Sequence, residues 1–98
     1  MLDADSIRHL KALQPEFSST GIAALYVFGS YARNEARPES DVDIAFDVMP
    51  NARFSLLDQG RSQVRLNEVL GRRVDLVERA ALNPLVRERI EREMIRVF

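Results

Sequence analysis

Cysteine is absent from the 98 residues, which excludes disulfides and thiolate zinc sites, and a single histidine excludes an imidazole-rich metal centre. No apolar run approaches the roughly 20 residues that a membrane-spanning helix needs. The opening Met1-Leu2-Asp3-Ala4-Asp5 is acidic where a secretory leader is basic and then apolar, so a cytoplasmic location is the expectation. Excess positive charge is also missing. With 14 Lys and Arg against 15 Asp and Glu the net charge is -1, so the chain lacks the basic stripe of a general nucleic-acid binder. Lysine is nearly absent, since Lys11 is the only one and the other basic residues are arginines. That bias suits bidentate phosphate contacts, although codon usage explains it equally well. Repeats, low-complexity tracts and linkers are lacking too. Residues 1–98 therefore read as one domain with a single core and no room for a second module. Whatever it acts on must be partly held by something else.

What is present centres on Leu25-Tyr26-Val27-Phe28-Gly29-Ser30-Tyr31-Ala32-Arg33 and the Ser40-Asp41-Val42-Asp43-Ile44 segment after it. Aromatic and β-branched residues up to Phe28 favour a strand, and Gly29 breaks it. A short helix is expected over 30–36, with Ser30 at its start, where a hydroxyl and free backbone N–H groups form a small anion site. On a strand, residues two apart share a face. Asp41 and Asp43 should therefore project one way, with Val42, Ile44, Phe46 and Val48 projecting the other. Two such carboxylates facing a phosphate-binding turn repel each other, and a divalent cation resolves that conflict.

The rest of the chain supplies the frame. Asp3 or Asp5 caps a first amphipathic helix that carries Ile7, Leu10, Leu13 and Phe17 to about Glu16 or Phe17, while His9 lies off that stripe and reads as solvated. Pro38 keeps the second strand from starting before Ser40 or Asp41, and Asp47, at its far end, reads as solvated. A helix over about 54–70 offers Leu56, Leu57, Val64, Leu66, Val69 and Leu70 to the core. Gly60, Gln63 and Asn67 spoil its periodicity, and Gly71 stops it. Val74-Asp75-Leu76-Val77 reads as a third strand, in which an Asp among aliphatic residues is costly to bury unless it is paired or bound to a metal. Asn83-Pro84 starts a last helix with Val86, Ile90 and Met94 inward, and Val97-Phe98 adds a short edge strand. The fold class is α/β, with α+β character: a small mixed sheet flanked by helices.

Gly29-Ser30 with Ala32-Arg33, then Ser40-Asp41-Val42-Asp43 and the later Val74-Asp75-Leu76-Val77, resembles the signature of the nucleotidyltransferase superfamily that includes DNA polymerase β. The short chain is similar to its minimal nucleotidyltransferase branch, whose members often serve as antitoxins paired with HEPN-domain toxins. The resemblance runs from Leu25 to about Phe98. It departs at Asn34, where the family commonly has Gly; Asn is the residue that best tolerates a left-handed backbone, so the turn should survive.

The resemblance implies a nucleotidyltransferase fold and transfer of AMP from ATP to a hydroxyl, such as a tyrosine of the partner toxin. Two Mg²⁺ ions, about 3.5–4 Å apart, stabilise both ends of such an in-line displacement. Asp41 and Asp43 would bridge them, and Asp75 would hold the acceptor-side metal and help deprotonate the hydroxyl. Gly29 and Ser30 would hold the β- and γ-phosphates. Arg33, and with it Arg37, would neutralise the triphosphate, or Arg33 would fold back onto a carboxylate. Two competing functions are a non-catalytic antitoxin that neutralises by docking and a transferase acting on a small molecule. The first should tolerate loss of the carboxylates, and the second needs substrate-binding structure that 98 residues barely allow.

Overall fold

The structure is a computed structural model and describes residues 2–98. Four strands form one mixed sheet in the order β3-β2-β1-β4. Strands β1 (Ile22–Phe28) and β2 (Val42–Val48) pair antiparallel, β3 (Val74–Glu78) lies parallel to β2, and β4 (Ile95–Arg96) lies antiparallel to β1. The expected edge strand at Val97-Phe98 begins two residues earlier. Its hydrogen bonding continues past Arg96, with Val97 N donating to Leu25 O and Leu25 N to Phe98 O.

Alternation along the strands decides which face is covered by what. Leu25, Val27, Val42, Ile44, Phe46, Val74 and Leu76 form one buried face. Over it lie α1 (Ala4–Ala12), α2 (Gln14–Thr20) and α3 (Leu56–Leu70), contributing Leu10, Leu13, Phe17 and Leu66. The opposite face carries Ala24, Tyr26 and Ala45, with Phe28, Val77 and Met94 packed on them. It is crossed by α4 (Pro84–Glu93), on which Ile90 is buried. The face expected of Val42, Ile44 and Phe46 is the observed one, all three being fully buried, and Val48 packs against the same core.

Some expectations are corrected. The first helix is two, α1 and α2, joined at Leu13 just before Pro15. Proline has no N–H to donate and fits the first turn of a new helix better than the interior of an old one. No helix forms over 30–36. The chain instead makes a compact turn in which Arg33 N donates to Gly29 O and Glu35 N to Ser30 O, with Asn34 at φ 60. The anion site inferred from a helix start therefore reduces to this turn. Leu56, Leu57 and Val64 are exposed, Leu56 at 86%. The core face of α3 consists of Leu66, with Val69 and Leu70 beside it.

Candidate active site

Register is what gathers the acidic residues. Phe28 pairs with Asp43 across β1 and β2, so the strand that ends in Gly29 hands its turn directly to the first carboxylate. Asp43 in turn pairs with Asp75 across the parallel β2 and β3 ladder. Neighbouring positions in a ladder share a face about 4.8 Å apart. Both side chains therefore leave the sheet on the α4 side, opposite Val42, Ile44, Val74 and Leu76. Together with Gly29 and Arg33 they line a cavity of about 520 Å³, whose other wall is the α4 face of Val86, Arg89, Ile90 and Glu93.

Gly29 is fitted to this neighbour. At φ +72 it has a left-handed backbone, and a Cβ there would stand 2.1 Å from Asp43 Oδ2. The carboxylate thus lies against bare backbone, an approach only glycine permits. Burial, followed by the charges of Asp75 and Asp41, pushes the Asp43 carboxyl above its ordinary value, and Arg33 opposes the shift. A carboxylate so crowded by its own kind is one that a cation would relieve. The donor set, hard oxygens on one face, suits Mg²⁺, which completes its shell from phosphate and water. As the side chains stand, no three acidic or histidine groups among the described residues are close enough to enclose an ion.

The sequence-derived residues do not all line the cavity. Gly29, Arg33, Asp43 and Asp75 do, whereas Ser30 and Asp41 are outside its lining. Asp41 precedes β2, is exposed, and has Arg73 Nε at 3.8 Å from its Oδ2, yet its charge reaches Asp43. Arg33 is folded back, its Nη1 donating to Glu93 at 2.8 Å and its Nε to Glu35 at 3.2 Å. Glu93 and Arg89 were not singled out in the sequence, where only Val86, Ile90 and Met94 of the last helix were expected to face inward. Their signal is helical spacing: they fall three positions after Val86 and Ile90, beside the inward stripe. The Arg89 side chain makes no hydrogen bond or ion pair among the described residues.

Asp47, expected to be solvated, is engaged. It accepts from the Tyr26 hydroxyl at 2.8 Å and from Arg79 Nε and Nη2 at 2.8 and 2.9 Å, and Arg79 Nη1 also donates to Glu91. This cluster ties the far end of β2 to α4, away from the cavity that Asp43 lines.

The profile of the nucleotidyltransferase domain matches residues 7–97. The chain is 38% identical over 91 residues to protein adenylyltransferase MntA of Thermococcus cleftensis, covering 91% of this chain and 85% of that protein. A solved structure described as a proposed minimal nucleotidyltransferase superposes with a TM-score of 0.79 at 36% identity, covering 96% of this chain and 95% of that one. A tri-AMPylated HEPN toxin in complex with MNT antitoxin, from Shewanella oneidensis, aligns with a TM-score of 0.70 at 17% identity. That match covers 95% of this chain and 69% of the other, a likeness of fold alone. Among the described residues no helix is long and apolar enough to cross a membrane.

Proposed function

The chain belongs to the nucleotidyltransferase domain family, and from that premise we propose that it transfers AMP from ATP to a hydroxyl of a protein partner. The acceptor in this reading is a tyrosine of a HEPN-domain toxin, and the modification silences the toxin. The carrying observation is the meeting of the Gly29 turn, Asp43 and Asp75 in one cavity on one face of the sheet.

Each residue has a task in that reaction. The acceptor oxygen forms a bond to the α-phosphorus, the bond to the β-phosphate oxygen breaks, pyrophosphate leaves and the hydroxyl proton is released. Asp75, on the edge strand, lies at the acceptor side and receives that proton. Asp43, with Asp41 approaching from the loop, would hold divalent magnesium, which would supply charge neutralisation at the attacked phosphate. The backbone around Gly29 and Ser30 receives the outer phosphates. Arg33 exchanges Glu93 and Glu35 for the phosphate chain, and Arg89, whose donors are uncommitted, adds a second guanidinium. Kinship with a named protein adenylyltransferase supports a protein acceptor. The exposed Leu56, Leu57 and Val64 are compatible with a partner that brings its own surface.

The test is incubation with labelled ATP, Mg²⁺ and the product of the adjacent reading frame. Label should pass to that protein, and Asp41→Asn or Asp43→Asn should stop it. If those variants neutralise the toxin without any transfer of label, the chain is a docking antitoxin and the catalytic reading is wrong.

A further inference from the structure

Asp75 stands on an outer strand of the sheet, where only β2 supplies a backbone partner. The outward N–H and C=O groups of such a strand are ordinarily left to water, and the strand is correspondingly free to fray. Here three of them are taken by side chains. Gln59 Nε2 donates to Leu76 O at 3.1 Å, Gln63 Nε2 donates to Val74 O at 3.0 Å, and Val74 N donates to Asn67 Oδ1 at 2.8 Å. The three amides recur every four residues along α3, a row on one helix face that continues the sheet as a further strand would. Gln63 and Asn67 are two of the positions that spoil the apolar periodicity of the helix, and the backbone partners of the row, Val74 and Leu76, flank Asp75 on both sides.

We propose that Gln59, Gln63 and Asn67 are positioning residues for Asp75: the amide row fixes the β3 backbone, so the carboxylate meets the magnesium nucleotide beside Asp43 at a set height. The inference rests on the nucleotidyl-transfer reading. The row does not touch the cavity, and it acts only through the strand. Partners hydrogen-bonded directly to a metal ligand typically change metal affinity about 10–100-fold when lost, and this row, acting one step further back through the strand, should fall at the lower end of that range.

The experiment uses the full chain, with Gln59→Leu/Gln63→Leu as a double variant, Asn67→Leu and Asn67→Asp. Amide hydrogen exchange is followed at β3 without metal, and the Mg²⁺ concentration giving half-maximal transfer is measured well below the melting temperature. The double variant and Asn67→Leu should exchange faster at Val74 and its neighbours and need roughly ten-fold more Mg²⁺. Asn67→Asp keeps the acceptor oxygen and should behave as wild type in both measurements. Faster exchange at an unchanged Mg²⁺ requirement overturns the proposal and leaves the row a stabilising device alone. Unchanged exchange overturns it more directly. If wild-type protein binds no magnesium nucleotide, the transfer reading itself fails and takes this inference with it, while the exchange data still report whether the row holds β3.

Discussion

Replacing Gly29 with alanine adds one methyl group, and its cost can be worked out from the geometry. The residue sits at φ +72, where a side chain costs about 1–2 kcal/mol. The new Cβ would lie 2.1 Å from Asp43 Oδ2, 3.0 Å from its Cγ and 3.2 Å from its Cβ. Ordinary contact begins near 3.4 Å, so the carboxylate oxygen must retreat by about 1.3 Å. The strand cannot move to oblige, because Val42 and Ile44 on either side of Asp43 are fully buried on the opposite face. The side chain must turn away instead, and a misplacement of about 1 Å costs roughly 100-fold in rate. Gly29→Ala should therefore fold, melt about 4–16 °C lower, and transfer AMP at least about 100-fold more slowly. Gly60→Ala is the matched control: nothing lies within 4 Å of a Cβ there, and helix propensity should raise stability by up to about 1 kcal/mol with activity unchanged. Thermal melting and kcat/KM for labelled ATP read both. A Gly29→Ala protein that transfers at nearly the wild-type rate would refute the placement of Asp43 at the reacting phosphate.

Magnesium plus ATP at 100 times the dissociation constant should stabilise the wild type by about 2.7 kcal/mol, a shift in melting temperature that Asp43→Asn abolishes. In metal-free protein the sign reverses. Because burial and its acidic neighbours raise the Asp43 carboxyl, the stability it contributes is complete below its ordinary value of 3.8 and is lost as pH rises through the raised folded value. Asp43→Asn should then be at least as stable as wild type at neutral pH by denaturant titration. On α3, Leu66→Ala should cost about 2–5 kcal/mol and Leu56→Ala less than about 0.5, and equal losses would contradict the observed helix face. Burial and the hydrogen bond to Asp47 raise the Tyr26 phenol above its ordinary 10.0. Its stabilisation should therefore persist below pH 10 and fade as pH rises through the folded value, a fall that alkaline melting should show reduced in Tyr26→Phe.

Strand faces were legible because a two-residue period leaves no ambiguity: Val42, Ile44 and Phe46 could only go inward if Asp43 went out. The partnership of Asp43 with Asp75 needed the register of a crossover connection, which spacing does not encode, although an acid isolated between Val74 and Leu76 pointed to it. The turn after Gly29 misled because Ser30 is a good cap, whereas the following residues close turn hydrogen bonds to Gly29, Ser30 and Tyr31 without propagating into a helix. Leu56, Leu57 and Val64 misled for the opposite reason, since an apolar residue on a helix need not face the core. Gln63 and Asn67 looked like flaws in an apolar helix because their partners are backbone groups, which carry no side-chain signature.

The fully buried row in β2 also dictates where this gene can change length. Deleting or inserting a single codon between positions 42 and 46 would rotate part of the strand by half a period, driving an acid into the oily layer and a valine or phenylalanine into the open cleft. A bulge, such as the register shift between Ile22 and Ala24 where β1 meets β2, is the only escape. Length variants should therefore survive in the connections over 35–40 and 49–54 and be purged from the strand. An indel scan scored by transfer of labelled AMP would map that boundary to the residue.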